Sequence, residues 1–404
     1  MNNRKNKLKF AVLVGDGMAD FPIAELGGKT PLAFAATPNM DRVAAEGVCG
    51  MVATVPDGVP PGSDVANLSL MGYDPLRYYR GRAPIEAASM GVALGSEDTA
   101  LRCNLVCLKD GLMHDYSGGH FDDEESHAII AALQERLGGA CRLYPGVDYR
   151  HLLVMTGIEP EKLDMTPPHD ITGRPWKDHL PKGPGAERCI ALMDSARGVL
   201  VGLDINKKRA AAGATPATDI WLWGQGRAVA LPSMKERYGL SGSVVSAVDL
   251  VRGLGVLAGL RVRRVPGATG YLGTNYAGKV AAARDALADE DLVYLHVEAP
   301  DETSHEGSLE KKLQAIGGFD ANVVGPFLDM RKELPGLRIL VAPDHATPVS
   351  TKTHAAGPVP FTVCGMGVPA GGVNNYCETS AAPGPLYTGV ELFDRFIKGT
   401  LAQP

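Results

Sequence analysis

Leu292-Val-Tyr-Leu-His-Val-Glu-Ala-Pro-Asp301 is a short apolar run that leads, within a few residues, to the carboxylate of Asp301. The run Leu337–Ala342 has the same form, because it leads into Asp344 and His345. Apolar runs of this length predict buried strands, and open α/β sheets bind ligands at the carboxyl ends of their strands. We therefore predict an α/β fold with a largely parallel sheet and a site at one end of that sheet.

Metal-binding side chains are concentrated in the segments that follow these two runs: Asp301, His305, Asp344, His345 and His354. Carboxylate oxygen and imidazole nitrogen together suit Mn, Zn or Fe, whereas an all-oxygen set suits Mg or Ca. An isolated Asp beside a His in a loop is usually a capping or turn residue. The density of such residues here favours a two-metal site instead. His296, inside its strand, is interpreted as a core residue or as support for the ligands.

The amino-terminal part of the chain supplies matching residues. A third apolar run, 9–14, ends just before Asp16, which therefore lies at the tip of a predicted strand. Ser63 follows a Pro/Gly turn and precedes a helical apolar pattern. It is either the N-cap of that helix or a nucleophile, because the free N–H groups at a helix N-terminus favour a phosphate. The residues alone leave both interpretations open.

Four motifs carry a family resemblance: Gly15-Asp16-Gly-Met, Pro-Gly-Ser63-Asp-Val-Ala-Asn67, Glu298-Ala-Pro-Asp301-Glu-Thr-Ser-His305, and Pro343-Asp344-His345 followed by Thr353-His354. They resemble the alkaline phosphatase superfamily and, within it, the archaeal-type cofactor-independent phosphoglycerate mutases. The match extends along nearly the whole chain, for example through Gly81-Arg-Ala-Pro-Ile-Glu86 and Tyr116-Ser-Gly-Gly-His120. The resemblance implies an alkaline-phosphatase-like core, in which helices sandwich the largely parallel sheet.

The resemblance also implies an activity and a role for each ligand. The reaction is an intramolecular phosphoryl transfer that interconverts 3-phosphoglycerate and 2-phosphoglycerate without 2,3-bisphosphoglycerate, so the enzyme is an isomerase. Ser63 is the nucleophile that becomes phosphoserine. Two divalent ions are implied, with Mn expected first and Zn, Mg or Co as alternatives. One ion is held by Asp301, His305 and His354, and the other by Asp16, Asp344, His345 and the oxygen of Ser63.

The positions of these ligands along the chain predict two domains, as does a length of 404 residues. Ligands occur before residue 65 and after residue 300, so the chain between them leaves a core domain and returns to it. We predict a core of residues 1–96 and 229–404 and an inserted, smaller α/β cap of residues 97–228. Strand-like runs at 100–108, 150–155 and 198–203 alternate there with helical patterns at 124–137 and 185–196. The Pro- and Gly-rich stretch 165–184 predicts a loop.

The cap has to retain glycerate and exclude water while the phosphoryl group is on the enzyme. Arg150 can bind a carboxylate or phosphate bidentately, Asp170 can accept a hydroxyl proton, and His120 can orient the substrate. Without the resemblance, Arg150 is equally typical of a surface ion pair and Asp170 of a turn. From the core, Lys279 is predicted to lie just before a helix and to contact the transferring phosphoryl group.

Composition excludes several classes of partner. With 40 Lys and Arg against 46 Asp and Glu, the net charge of −6 gives no electrostatic footprint for nucleic acid or an anionic membrane. The seven cysteines form no disulfide or zinc framework and predict reduced, buried thiols. The basic stretch from Arg4 to Lys9 leads straight into a short strand, which does not resemble a secretory signal. We expect a cytoplasmic protein that acts on a small phosphorylated molecule.

Two other functions remain open at this point. A metal-dependent phosphomonoesterase, or a mutase for another small phosphate ester, shares the core motifs, because substrate choice resides in the cap. A non-catalytic, metal-stabilised binding protein is the alternative from a different class, but it has no use for Ser63. Sequence does not determine the oligomeric state.

Overall fold

The computed structural model describes residues 7–401, so the first three residues of the basic stretch from Arg4 to Lys9 lie outside the described residues. The chain forms two compact units. The first comprises Met1–Tyr79 and Ala230–Pro404, and the second comprises Arg80–Val229.

The start of the second unit differs from the predicted boundary at residue 97. The helix Arg82–Ser89 belongs to this unit because Ala83 and Ala87 are fully buried against Ala100, Leu152 and Val154 of its sheet. A helix that buries its apolar face on a sheet folds with that sheet. The cap therefore begins at Arg80, ahead of its first strand.

Strands and helices are numbered separately in chain order. The strands are β1 (Lys9–Gly15), β2 (Val48–Ala53), β3 (Asp98–Lys109), β4 (Leu112–Asp115), β5 (Arg142–Val147), β6 (Arg150–Thr156), β7 (Asp219–Arg227), β8 (Gly242–Val245), β9 (Arg261–Val262), β10 (Leu292–Val297), β11 (Leu337–Ala342), β12 (Val359–Gly365) and β13 (Leu386–Thr388).

The helices of the first unit are α1 (Pro31–Phe34), α2 (Pro38–Ala45), α3 (Ser63–Leu70), α4 (Pro75–Tyr78), α9 (Met234–Tyr238), α10 (Asp249–Leu257), α11 (Tyr276–Asp289), α12 (Ala299–His305), α13 (Leu309–Phe319), α14 (Gly325–Glu333), α15 (Glu378–Ala381) and α16 (Gly389–Lys398). Those of the second unit are α5 (Arg82–Ser89), α6 (Asp123–Leu137), α7 (Ala186–Leu200) and α8 (Asp204–Ala211).

The sheet of the first unit has the order β13-β2-β12-β11-β1-β10-β8-β9. Only β12 runs antiparallel to its neighbours, β11 and β2, and the other paired strands are parallel. This confirms the predicted, largely parallel sheet. The central strand β1 has β10 on one side and β11 on the other, so the carboxyl ends of these three strands lie together.

The central strands are buried on both faces, which explains why their sequences are continuously apolar. Leu13, Leu295 and Val341 lie in one core with side chains from the covering helices, among them Phe319 of α13 and Phe327 of α14. Complete burial of one such side chain contributes roughly 1.5–3 kcal/mol. This packing makes the sheet a rigid base for the loops at its carboxyl end.

The second unit is an α/β unit built on an antiparallel sheet. Its strand order is β4-β3-β6-β5, and β7 also pairs with β3 in antiparallel orientation. The predicted strand at 198–203 is wrong, because α7 continues to Leu200. The buried residues Cys189, Leu192, Met193, Ala196 and Leu200 keep helical spacing to that point.

The other secondary-structure predictions for the second unit, and the prediction of buried thiols, agree with the structure. The segment 165–184 contains two 3₁₀ turns, Pro168–Ile171 and Trp176–His179, and isolated β-bridges, but no α-helix or strand, as expected for a loop. All seven cysteines are free and buried. Among the described residues, none of the helices combines the length and the apolar character needed to cross a membrane.

Candidate active site

Three buried acidic residues follow the three central strands. Asp16 comes directly after β1, Asp344 lies two residues beyond β11, and Asp301 lies in the first turn of α12, which follows β10. Gly15 pairs with Val297 and Val14 with Ala342, so the carboxyl ends of β1, β10 and β11 are in register to within about one residue. The parallel topology therefore brings three carboxylates to one edge of the sheet, where open α/β folds bind ligands.

The first group of candidate metal ligands consists of Asp301, His305 and His354. Asp301 and His305 are four residues apart on α12 and therefore share a face of the helix. His305 Nε2 lies 3.1 Å from Asp301 Oδ2, and His354 Nε2 lies 3.6 Å from Asp301 Oδ1. The structure thus brings together the three residues predicted for one ion.

Backbone carbonyls orient both histidines of this group. His305 Nδ1 donates to the carbonyl oxygen of Lys352 over 2.9 Å, and His354 Nδ1 donates to that of Pro61 over 3.3 Å. The Nε2 atoms of the two rings are only 3.2 Å apart, so one positive charge, a proton or a metal ion, fits between them. Outward hydrogen bonds of this kind are characteristic of metal-binding histidines. The hydrogen bond to Asp301 raises the pKa of His305 to about 9, so this position already favours positive charge.

The second group consists of Asp16, Asp344 and His345, all fully buried. His345 Nε2 lies 3.5 Å from both Asp16 Oδ1 and Asp344 Oδ2. Burial, together with the nearby charges of Asp344 and Asp301, raises the pKa of Asp16 well above its usual range. Asp16 Oδ1 has no hydrogen-bond partner among the described residues. Two buried carboxylates that repel each other, one of them with an oxygen that no described donor reaches, fit a cation, so the residues of this group support metal binding.

Ser63 joins this second group. Its Oγ is 3.0 Å from His345 Nε2. Gly62, not Ser63, is the N-cap residue of α3, and Ser63 is its first helical residue. The N-cap interpretation of Ser63 is therefore wrong, and its hydroxyl is directed at the ligand cluster.

Asn67 is a residue to which the sequence assigned no role. It lies one turn after Ser63, and its Nδ2 donates to Ser63 O over 2.9 Å and to Asp344 Oδ2 over 2.7 Å. The hydroxyl of Tyr294 donates to Asn67 Oδ1 over 2.6 Å. Asn67 therefore fixes α3 against Asp344. The spacing of four residues from Ser63 was the available sequence signal, because it places both side chains on one helix face.

The prediction that Lys279 lies just before a helix is wrong. Lys279 lies in the first turn of α11, whose N-cap is Asn275. The Asn275 side chain caps this turn, which moves the helix start ahead of Lys279. Lys279 is only 1% exposed, and its Nζ donates to the carbonyl oxygen of His296 over 3.1 Å. His296 itself is fully buried, with Nε2 3.0 Å from Asp16 Oδ2. Lys279 thus supports the strand behind Asp16.

A second buried lysine, Lys312 of α13, ties two of the ligand-bearing loops together. Its Nζ lies 2.8 Å from Asp20 Oδ2 and from the carbonyl oxygen of Thr347, and 3.2 Å from that of Ala19. Asp20 belongs to the loop after β1, and Thr347 to the loop after β11. No sequence signal identified Lys312, since a lysine in an amphipathic helix is normally exposed.

The cap residues His120, Arg150 and Asp170 lie in the second unit and are exposed. His120 Nδ1 is 2.7 Å from Asp148 Oδ2, and the Arg150 guanidinium is 5.7 Å from the centre of the Tyr149 ring. Asp170 Oδ1 is 3.6 Å from His169 Nε2. These residues lie along a row of aromatic and imidazole rings in which each ring contacts the next. The order of the rings is His120, Tyr149, Tyr116, His169 and Trp223. The predicted substrate residues therefore share one surface of this unit.

The fold and the site together define a class of protein, and comparison of the chain with known proteins identifies the family. The chain belongs to the family of 2,3-bisphosphoglycerate-independent phosphoglycerate mutases, which are isomerases. The family model matches residues 44–206. This confirms both the resemblance and the enzyme class predicted from sequence.

Particular relatives cover nearly the whole chain. The chain is 52% identical to the 2,3-bisphosphoglycerate-independent phosphoglycerate mutase of Methanothrix thermoacetophila, over 93% of this chain and 96% of that one. It is 53% identical to a probable enzyme of the same name from Geobacter sulfurreducens, over 93% of this chain and 95% of that one. The structure of the cofactor-independent phosphoglycerate mutase from Thermoplasma acidophilum is similar, with a TM-score of 0.66 and 27% identity over 97% and 99% of the two chains.

The pKa of Lys279 gives a test of the electrostatics at the carboxyl end of the central strands. Burial outweighs the attraction of Glu298 and lowers the pKa of Lys279 from 10.5 to about 8. Between these pH values the unfolded chain binds the proton and the folded chain does not, so stability rises with pH in that window. Below pH 8 the folded protein carries a poorly solvated ammonium. Lys279→Met should therefore raise the stability at pH 7, by at most about 3 kcal/mol.

Thermal unfolding at pH 7, 8, 9 and 10 measures this effect. The advantage of Lys279→Met should shrink as the pH rises from 8 to 10.5. The exposed Lys332, paired with Asp329, supplies the control variant Lys332→Met, for which we expect a nearly constant difference. The compared quantity is the stability of Lys279→Met minus that of the wild type. A smaller value at pH 7 than at pH 10 would contradict the prediction.

Proposed function

We propose that the enzyme interconverts 3-phosphoglycerate and 2-phosphoglycerate by intramolecular phosphoryl transfer through a phosphoserine on Ser63, independently of 2,3-bisphosphoglycerate. The observation that carries this proposal is the position of Ser63 Oγ, 3.0 Å from Nε2 of His345, which belongs to a buried group with Asp16 and Asp344. Membership of the mutase family supplies the substrate class, a small phosphorylated molecule.

We propose two divalent ions, one held by Asp301, His305 and His354 and the other by Asp16, Asp344, His345 and Ser63 Oγ. The mixture of carboxylate and imidazole favours Mn, with Zn, Mg and Co as alternatives. The two groups are adjacent, since the His345 and His354 rings are 4.1 Å apart between centres. When bound, such ions lower the pKa of a serine hydroxyl and neutralise charge on a phosphoryl group.

The chain itself positions the nucleophile. Ser63 is the first residue of α3, so a phosphoryl group bound at Ser63 would lie at a helix N-terminus, whose first N–H groups have no partner within the helix. Its Oγ loses its proton and attacks phosphorus while the bond to the first substrate oxygen breaks, and that oxygen takes up a proton to become a hydroxyl of glycerate. The second glycerate hydroxyl then attacks phosphorus and releases Ser63, and Asp170 is proposed to accept the proton of that hydroxyl.

We propose a division of labour between the units, in which the first transfers the phosphoryl group and the second retains glycerate. Arg150 and His120 are assigned to the carboxylate and hydroxyl groups of glycerate. Their exposure on a row of aromatic rings supports this role, because their polar groups remain accessible to a ligand. The free, buried thiols support the expected cytoplasmic location.

The first test of this mechanism removes the nucleophile. Ser63→Ala should abolish the phosphoenzyme and reduce turnover by several orders of magnitude, the usual scale for loss of a nucleophile. Thermal stability should change little, because Gly62 caps α3. Mass spectrometry after rapid acid quench locates the phosphate, with the exposed-helix variant Ser195→Ala as the control. Phosphate trapped on a residue other than Ser63 would refute the assignment.

The second test concerns the metals. Chelation should abolish activity, and Mn should restore it better than Ca, because imidazole nitrogen is a poor ligand for Ca. His305→Ala and His354→Ala should each lose one ion per chain, whereas His127→Ala, which alters an exposed histidine of the second unit, should keep both. Elemental analysis of the reconstituted proteins counts the ions. Full metal content together with full turnover in either ligand variant would disprove the ligand assignment.

The third test separates a mutase from a phosphatase. Asp170→Asn and Arg150→Ala should lower 2-phosphoglycerate formation far more than phosphoserine formation, because glycerate then escapes and water attacks the phosphoserine. The ratio of inorganic phosphate to 2-phosphoglycerate should rise, while the wild type and the control Asp178→Asn release almost no phosphate. A phosphorus NMR time course follows both products. Mainly free phosphate from the wild type would establish the phosphomonoesterase alternative, and unchanged product ratios in the variants would make these residues bystanders.

A further inference from the structure

One hydroxyl group lies between the two groups of candidate ligands. Thr347 Oγ1 is 2.6 Å from Asp301 Oδ1, a member of the first group, and 3.1 Å from His345 Nδ1, a member of the second. Thr347 is fully buried. It is not a candidate ligand itself, so its contacts with both groups call for a separate explanation.

The available protons allow one arrangement of these hydrogen bonds. Asp301 acts as an ionised ligand and can only accept, so the single hydroxyl hydrogen of Thr347 is donated to it. The oxygen of Thr347 can then only accept from His345, which must carry its hydrogen on Nδ1. The lone pair of His345 therefore resides on Nε2, the atom that lies 3.0 Å from Ser63 Oγ.

We propose that Thr347 is a positioning residue: its hydroxyl holds His345 with Nδ1 protonated and Nε2 directed at the nucleophile, and couples that orientation to Asp301 of the other group. The proposal rests on the proposed function where it treats Ser63 as the nucleophile and both groups as metal ligands. It adds a physical link between the two groups that neither ligand set contains.

The other two histidines show why His345 needs such a residue. His305 and His354 each donate Nδ1–H to a backbone carbonyl, which can act only as an acceptor. A hydroxyl is ambiguous, because it can donate to Nδ1 as well as accept from it. At His345 the ambiguity is removed by Asp301, which takes the hydroxyl hydrogen.

The framework around Thr347 holds the hydroxyl in place. The Thr347 N–H donates to Ala19 O over 3.1 Å, and its carbonyl oxygen accepts from Lys312 Nζ. Gly17, at a φ of 63°, leaves room for the side chain, because a Cβ there would come within 2.7 Å of both Thr347 Oγ1 and Asp301 Oδ1. The backbone hydrogen bonds of Thr347 and the space beside Gly17 thus determine the position of the hydroxyl.

The test compares Thr347→Val, which has nearly the same shape but no hydroxyl, with Thr347→Ser, which restores it. Thr351→Val, an exposed site in the same loop, is the control. Metal-free and Zn-loaded proteins labelled with ¹⁵N-histidine are examined by long-range ¹H–¹⁵N NMR, and His345 is assigned by the loss of its signals in His345→Asn. Metal affinity is measured by competition with a chelator.

In the wild type and in Thr347→Ser we expect His345 to carry hydrogen on Nδ1 in the metal-free protein, and a slowly exchanging Nδ1–H in the Zn form. In Thr347→Val the metal-free ring should lose this preference and the Nδ1–H of the Zn form should exchange faster. Affinity for one of the two ions should fall about 10- to 100-fold, the usual effect of removing a hydrogen-bond partner of a metal-binding histidine.

Two results would overturn the proposal. The first is a wild-type, metal-free His345 with its hydrogen on Nε2, a result that does not depend on how any Thr347 variant folds. The second is a Thr347→Val protein with the wild-type His345 pattern and metal affinity. Neither readout requires mutase turnover, so failure of the proposed function would appear separately, as an unphosphorylated Ser63 in an enzyme whose His345 pattern is as expected.

Discussion

The burial of three carboxylates, Asp16, Asp301 and Asp344, at one end of three neighbouring strands is the constraint on which the rest of the structure depends. Taking an ion out of water carries an effective penalty of several kcal/mol, and like charges a few ångströms apart add repulsion. Such an arrangement is stable only if cations or donors surround it. The chain supplies donors such as Asn67 and Thr347 and leaves Asp16 Oδ1 without a partner among the described residues.

The sheet makes this arrangement possible without special local structure. Because β10 and β11 flank β1 in parallel, the loops that follow the three strands emerge at one edge, and the rest of the framework holds those loops relative to one another. Lys312 contributes a buried ammonium that joins the loop after β1 to the loop after β11. Asn67 joins Ser63 to Asp344 in the same way. Ser63, the two groups of candidate ligands and the residues that hold them are therefore connected by hydrogen bonds, so a change in one group should affect the other.

The sequence predicted the parts of this site that local pattern encodes. Asp16, Asp301 and Asp344 could be placed because each follows an apolar run, and His305 because it belongs to the dense group of Asp and His residues after one of those runs. Thr347 and Lys312 could not, since their roles come from contacts between loops that are distant along the chain. The boundary at Arg80 was missed for a related reason. The assignment of α5 to the second unit depends on which sheet buries Ala83 and Ala87, and a helical pattern does not contain that information.

The central claim is that two ions and the Ser63 oxygen form one reaction centre. It is tested most directly by anomalous diffraction from crystals of the Mn-loaded protein, recorded on both sides of the Mn absorption edge. The account predicts two strong anomalous peaks, one among Asp301, His305 and His354 and the other among Asp16, Asp344, His345 and Ser63 Oγ. A single peak, or a second peak beyond bonding distance of Ser63 Oγ, would contradict it.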